Sequence, residues 1–194
     1  LDGGPTKIGT PSTVIKIHEH HIEILRNGAL TRDQIQTALQ LEIVIVCTGN
    51  TCRSPMAEAL LRKAVGDNSG LKIGSAGVGA MIGQPASRET LDIVKSKKAS
   101  LSGFSSRLVD EDLLSSSDLI IAMTNSHAAM VKDYFPKCAD SVCLLCDFIN
   151  EDEGLAGADL PDPIGMGSRA YQEVATLIEL ALPSIISRLD KEFS

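Results

Sequence analysis

The groups in this chain best suited to chemistry lie in eight consecutive residues: Cys47-Thr48-Gly49-Asn50-Thr51-Cys52-Arg53-Ser54. A cysteine sulfur attacks as its anion, and an arginine fork matches two oxygens of one phosphate. Five residues separate Cys47 from Arg53, a spacing that lets both face one cavity if the intervening chain is a loop. A loop that leaves a strand and enters a helix N-terminus turns several backbone N–H groups inward, and the positive end of the helix dipole reinforces them. Gly49 and Asn50 are the residues able to take the left-handed backbone that such a nest needs. These donors, with Arg53, would stabilise negative charge on Cys47 and seat a tetrahedral oxyanion before it, the arrangement for in-line attack at phosphorus. A nucleotide loop of the Walker kind is excluded, because no Gly-Lys-Ser/Thr closes the segment. The competing reading makes Cys47 a small buried hydrophobe and Arg53 a surface charge. It leaves the strand and helix patterns on either side of the pair unexplained.

Those flanking patterns are clear. EIVIV, from Glu42, reads as a strand buried on both faces. Pro55 and MAEALLRKAV read as a helix, proline being tolerated in the first turn. Beyond lie LKIGSAG (strand), ASRETLDIVKSK (helix), DEDLLSSS (short helix) and DLIIAM (buried strand). A helix from about Ser126 to Tyr134 follows, then SVCLLCDF (strand), a loop through Pro163, and a helix from about Ser168 to Leu189. Strands alternating with helices predict an α/β fold with a central parallel sheet and helices on both faces. Its ligand would sit outside the carboxyl ends of the strands. The first residues differ. Gly3, Gly4, Pro5, Gly9 and Pro11 predict loop, Thr13–Ile17 and Ile22–Leu25 short strands, and Asn27-Gly28 a turn. Thr31 is placed to cap a helix from about Arg32 to Gln40, with Asp33 in its first turn. This part holds too little apolar material for its own core. The chain therefore divides into an N-terminal extension, residues 1–40, and a main domain, residues 41–194.

Composition narrows the function classes. The chain has 194 residues, 43% hydrophobic and 22% charged, as in an ordinary globular protein. No apolar run reaches the ~18–20 residues that cross a bilayer, so no membrane role is expected. A net charge of −7 argues against nucleic-acid binding through a basic face. With no Trp and 3% aromatics, platforms for stacking bases are scarce. Five cysteines, two in the loop and three between positions 138 and 146, read as reduced thiols and a cytoplasmic location. LDGGPTKIGTPS has neither the charged nor the apolar region of a signal peptide. It also lacks an initiator Met, which reads as a processed product or a piece of a longer protein.

The string CTGNTCRSPMAEALL resembles the low-molecular-weight protein phosphatase family. The resemblance runs on through Gly74-Ser75-Ala76-Gly77-Val78, the DLIIAMTNSH run and Asp162-Pro163, covering roughly residues 41–190. It implies an α/β fold with a central parallel sheet, a cysteinyl-phosphate intermediate and no metal or other cofactor. Carried over, Cys47 is the nucleophile. Phosphate is bound by Arg53 and by the loop from Thr48, Gly49, Asn50, Thr51 and Cys52 to Ser54. Ser54 would hydrogen-bond the sulfur, and Asn50 would hold the loop's shape together with Ser75. Cys47 and Cys52 would form a reversible disulfide under peroxide; the competing reading makes Cys52 a packed helix-start residue.

Phosphoryl transfer also needs a proton for the leaving group and a base for water. Asp162 in LPDPIG is the candidate, on a loop stiffened by Pro161 and Pro163; Asp159 is the rival. Tyrosine-directed members typically carry a bulky aliphatic at the Thr51 position and aromatics after Asp-Pro, whereas this chain has Thr51 and Ile164-Gly165. The loss of stacking is worth ~0.5–1.5 kcal/mol for a phenyl ring. The CTGNTCRSPMAE string resembles bacterial protein-arginine phosphatases, in which Thr at this place marks a preference for phosphoarginine. Ile164 departs from their usual Phe and lines the substrate. Phe104 stands where much of the family has His, which implies an altered network behind the loop.

Four functions are therefore weighed: a phosphoarginine phosphatase acting on phosphorylated protein, a phosphotyrosine phosphatase, a thioredoxin-coupled arsenate reductase, and a non-catalytic anion-binding module. The reductase would use Cys143 and Cys146, whose strand position reads instead as packed thiols. His18-Glu19-His20-His21 reads as a turn between strands rather than a metal site, and His127 as structural. Residues 1–36 (DGG…G…PSTVIKI…ILRNGALT) resemble the closing segment of threonylcarbamoyl-AMP synthase domains. Ser12 and Thr13 would correspond to residues of their nucleotide site, and the extension would be the remnant of an upstream synthase domain.

Overall fold

The structure, a computed structural model, describes residues 9–18, 21–32, 34–35, 40–66, 70–149 and 153–192. Strands β1 (Val14–His18) and β2 (His21–Arg26) form an antiparallel pair of their own, with His18 opposite His21. Its entry is tied down locally. The Arg26 guanidinium donates to Ser12 O at 3.0 and 3.1 Å, and Thr13 Oγ1 exchanges hydrogen bonds with the main chain of Leu30 at 2.8 and 2.9 Å. Ser12 and Thr13 thus serve the hairpin itself. Asn27-Gly28 follows β2, and Gly28 is required there: a Cβ would stand 2.3 Å from Pro11 O. Thr31 does cap the next segment, accepting from Gln34 N at 3.2 Å while Gln34 Oε1 accepts from Thr31 N at 2.9 Å. The remainder of the helix expected up to Gln40 falls mostly on residues 33 and 36–39, outside the described residues, as do Glu19 and His20.

The main domain is built on four parallel strands in the order β4-β3-β5-β6: β3 (Leu41–Cys47), β4 (Leu71–Gly77), β5 (Leu119–Ala122) and β6 (Val142–Leu144). Helices α1 (Arg53–Val65), α2 (Arg88–Ser96), α3 (Glu111–Ser115), α4 (Asn125–Tyr134) and α5 (Gly167–Glu192) complete it. The alternation of side chains along β3 divides the core. Ile43, Ile45 and Cys47 pack with Met56, Leu60 and Leu61 of α1 and Val174, Ile178 and Ile185 of α5. Val44 and Val46 pack on the other face with Leu114 of α3 and Ala128 and Val131 of α4. Caps match their sequence signals: Ser87 opens α2, Asp110 α3 and Thr124 α4, each side chain accepting a main-chain N–H three residues on.

One predicted strand is cut short. In SVCLLCDF only Val142–Leu144 pairs with β5, and Leu145–Phe148 winds into a 3-10 turn. Asp147 Oδ2 accepts the Leu144 N–H at 3.2 Å and turns the chain there. The apolar run predicts a strand throughout, but Leu145, Cys146 and Phe148 enter the core from a turn. Among the described residues no helix is long and apolar enough to cross a membrane.

Candidate functional site

The site forms where β3 ends, at the carboxyl edge of the sheet. Cys47 is the last residue of β3 and lies opposite Gly77, the last of β4. Gly77 must be glycine: a Cβ there would stand 2.4 Å from Thr48 O and 2.9 Å from Asn50 N. The loop's carbonyls are drawn outward. Val78 N donates to Cys47 O at 2.9 Å, Gly79 N to Thr48 O at 3.0 Å, and Ser87 N to Thr51 O at 2.8 Å. Cys52, at the N-cap of α1, makes no side-chain cap, so the first N–H groups of that helix are left for an anion. Asn50 takes the left-handed backbone, with φ 52°. Gly49 does not, contrary to expectation. A Cβ there would meet Thr51 Oγ1 at an ordinary 3.6 Å, so neither backbone nor space requires glycine at this position.

Behind the loop each atom of the Asn50 amide is used. Its Nδ2 donates to Ser54 Oγ at 3.0 Å and to Ser75 Oγ at 2.8 Å, and its Oδ1 accepts the Arg107 main-chain N–H at 2.9 Å. Ser54 Oγ lies 2.9 Å from Cys47 Sγ and 3.5 Å from Ala76 O. Ser54 Oγ accepts from Asn50 Nδ2 and keeps one proton and one lone pair, so it can donate to a Cys47 thiolate or accept from a Cys47 thiol. Ser75 donates onward to Glu58 Oε2 at 2.6 Å, and Glu58 Oε1 pairs with Arg62 at 2.9 Å. Burial pushes the Glu58 carboxyl above the usual carboxylate range, against the pull of Ser75, Arg62 and Arg107. Arg107 Nε also donates to Ser75 O at 2.9 Å. Arg107, Glu58 and Arg62 line a cavity of about 230 Å³ together with the half-buried Phe104. Arg107 therefore buttresses the loop, and Phe104 stands beside the network rather than in it.

In front of the loop, buried Arg53 donates from Nη1 to Leu160 O at 3.2 Å and from Nη2 to Asp162 Oδ2 at 2.6 Å. Its fork carries five N–H donors, more than these two contacts use. The Asp162 side chain is 45% exposed, and its Oδ1 accepts the Ile164 N–H at 3.2 Å across Pro163. Leu160 N donates to Met123 O at 2.8 Å, fixing this loop to the end of β5. Ile164 is exposed on the rim. Asp159, the rival acid, is engaged elsewhere: its Oδ1 accepts Asn125 N at 2.7 Å and Asn125 Nδ2 at 2.9 Å. Those bonds hold its carboxyl below the usual range.

Two further residues meet the loop that the sequence did not single out for this site. His127 is buried, with Nε2 2.8 Å from Thr48 Oγ1 and Nδ1 2.8 Å from Thr124 Oγ1. Burial, then the Arg53 charge, lowers its pKa to about 4, against the pull of Asp162 and Asp159. Tyr171, on α5, meets Cys52 Sγ at 3.2 Å. Burial, then the Cys52 contact, raises the Tyr171 hydroxyl to about 12. The signal for His127 was its place three residues after the α4 cap Thr124. Nothing near Tyr171 in the sequence points to the loop. Cys143 bonds Ile120 O at 3.6 Å and Cys146 is buried, its thiol pushed up by burial, so both are packed into the sheet region.

Comparison with known proteins agrees with this geometry. A family model described as low molecular weight phosphotyrosine protein phosphatase matches residues 42–194. The chain is 34% identical over 154 residues to a protein-arginine-phosphatase of Bacillus subtilis (strain 168), covering 78% of this chain and 99% of that one. It is 32% identical over 149 residues to the low molecular weight protein-tyrosine-phosphatase Etp of Escherichia coli (strain K12), covering 77% and 95%. Among solved structures, a YwlE arginine phosphatase mutant with a phosphorylated active-site serine superposes with a TM-score of 0.70. Its identity is 31%, covering 78% of this chain and 97% of that chain.

Proposed function

We propose, from the premise that this chain belongs to the low molecular weight phosphotyrosine protein phosphatase family, that it dephosphorylates proteins through a cysteinyl-phosphate and prefers phosphoarginine. The observation that carries the reading is the 2.9 Å hydrogen bond between Ser54 Oγ and the Cys47 sulfur, in a loop whose Arg53 is tied to Asp162. In the first step the Cys47 sulfur attacks phosphorus and the bond from phosphorus to the guanidino nitrogen breaks. Asp162 gives the leaving nitrogen its proton, while Arg53 and the loop N–H groups hold the equatorial oxygens. In the second step Asp162 takes a proton from water, the water oxygen attacks phosphorus, and the S–P bond breaks with its electron pair returning to Cys47. Phosphate leaves, and the chain's own residues suffice without a metal.

The preference rests on Thr51 and Ile164. Thr51 is half-buried in the loop with its Oγ1 3.7 Å from Cys52 Sγ, and a hydroxyl can accept from a guanidinium where an aliphatic side chain cannot. Ile164 offers no ring for a phenol to stack on. Relatives from Bacillus subtilis and Geobacillus stearothermophilus carry the name protein-arginine-phosphatase. Phosphotyrosine is the second reading, supported by the tyrosine phosphatases among the relatives. The activity is assigned to residues 41–194, in the cytoplasm. Residues 1–40 are taken as the remnant of an upstream threonylcarbamoyl-AMP synthase domain, with no nucleic-acid contact through the main domain. The test is hydrolysis of matched phosphoarginine and phosphotyrosine peptides by this chain under reducing conditions. A higher kcat/KM on phosphoarginine is expected, and a clear preference for phosphotyrosine overturns the assignment.

A further inference from the structure

Thr48 is exposed at the mouth of the loop, next to the sulfur-bearing residue. Its hydroxyl does not rotate freely, because Oγ1 is held 2.8 Å from Nε2 of buried His127. The imidazole is itself fixed at the other nitrogen, 2.8 Å from Thr124 Oγ1, which also accepts the His127 main-chain N–H at 3.2 Å as the cap of α4. The ring thus spans two threonines in one orientation. Either neutral tautomer satisfies both contacts. If Nε2 donates, Thr48 Oγ1 keeps one lone pair; if Nε2 accepts, it keeps two. In both cases an acceptor lone pair stays available on this exposed side chain, and when Nε2 accepts, the hydroxyl proton is spent on the ring and Thr48 can only accept. His127 stays neutral near pH 7, with its pKa at about 4, so the wall adds no positive charge. The charged groups that act on the ring are Arg53, Asp162 and Asp159.

We propose that Thr48 and His127 form a specificity device, in which His127 is a positioning residue that locks the Thr48 hydroxyl as an acceptor for a guanidinium N–H of the substrate. The inference rests on the phosphoarginine reading above. A phosphorylated phenol has no N–H to offer at this place, so the device gains nothing from phosphotyrosine. A site built around such a hydrogen bond discriminates against the analogue that lacks it. The Thr48 contact is separate from that of Thr51, which lies beyond Gly49-Asn50 and meets Cys52 Sγ at 3.7 Å rather than His127.

The experiment measures kcat/KM on phosphoarginine and phosphotyrosine peptides of identical flanking sequence for the wild type, Thr48→Val, Thr48→Ser, His127→Leu and the Thr48→Val/His127→Leu double variant. The phosphoarginine-to-phosphotyrosine ratio should fall about tenfold in Thr48→Val and in His127→Leu. It should stay within about twofold in Thr48→Ser, and fall no further in the double variant than in either single one. An unchanged ratio in Thr48→Val, a loss as large in Thr48→Ser, or additive losses in the double variant each overturn the proposal. Thr48 is exposed, so its two variants decide the matter even if His127→Leu fails to fold. Failure of the underlying reading shows separately, in a wild-type ratio that already favours phosphotyrosine, and that result removes this inference with it.

Discussion

The two sides of the nucleophile loop are built on opposite principles. Behind it, Asn50, Ser54 and Ser75 are buried and bonded in series to Glu58 and to the Arg107 main chain. Every polar atom of the Asn50 amide has a partner there, and the bonds run in one connected chain from the sulfur to Glu58. In front, Thr48, Asp162 and Ile164 are exposed, and the Arg53–Asp162 pair at 2.6 Å has one buried and one half-exposed member. The back of the loop holds the sulfur-bearing residue through buried hydrogen bonds, and the front presents side chains to solvent; on the proposed function the back would serve every substrate and the front would meet the leaving group. Changes behind should therefore cost stability and activity on every substrate, and changes in front should cost or exchange substrates.

The largest effect expected is at the sulfur between the two sides. Cys47→Ser should lower kcat by at least about 10⁴-fold on either peptide while phosphate binding, measured by calorimetry, persists. Appreciable turnover would remove the covalent route and with it the division into back and front. Asp162→Asn comes next, at about 10²–10⁴-fold in kcat, with a smaller loss on a substrate whose leaving group needs no proton, such as a nitrophenyl phosphate. Equal losses on both would mean that the carboxylate acts only by holding Arg53. Asn50→Ala should cost about 2–4 kcal/mol of unfolding free energy, since it leaves buried Ser54, Ser75 and the Arg107 N–H each short of a partner and puts Ala at φ 52°. Denaturant melts measure it, and a loss below about 1 kcal/mol would show that the back of the loop is not the rigid element it is taken to be.

The sequence exposed the front and back of this site unequally. Cys47 to Ser54 are contiguous, and strand, loop and helix periods flank them, so the cradle was legible without coordinates. Ser75 was named as the partner with which Asn50 holds the loop, through the family resemblance, whereas Gly77 was legible as a strand end but not as the surface against which the loop closes. Arg107, Glu58 and His127 reach the loop from a crossover segment, one turn further along α1, and α4. Nothing local marks Arg107, because only the parallel sheet brings its segment to the loop. Glu58 had a usable signal: four residues after Ser54, it lies on the same helix face. The second half of SVCLLCDF shows the converse limit. Apolar content predicts burial, but Asp147 closing back on the Leu144 N–H decides that the chain turns.

Thr51→Ile is a change in front and should move specificity more than rate. The phosphoarginine-to-phosphotyrosine ratio is expected to drop about five- to tenfold as a hydroxyl is lost and an aliphatic contact for a phenol is gained. Peptide kinetics check it. A parallel loss on both substrates would place Thr51 with the residues behind the loop.

The smallest effect is read in stability against pH, and it separates the two sides by sign. His127 faces the front, and its pKa in the fold, about 4, lies below the ordinary 6.5. The unfolded chain therefore binds more protons between those values. Its contribution is complete above pH 6.5 and is lost as pH falls toward 4, by up to about 3 kcal/mol. Glu58, behind the loop, has the opposite displacement. The folded chain binds its proton more readily, so that contribution is present below pH 4.5 and is lost as pH rises through the shifted value. The two partly offset each other in the wild type, and a flat pH–stability curve there would be uninformative. Subtraction resolves them: wild type minus His127→Gln should slope upward with pH between 4 and 6.5, and wild type minus Glu58→Gln should slope downward above 4.5. If the His127 difference is level across its window, the imidazole is not held neutral by burial, and the lock on Thr48 loses its support.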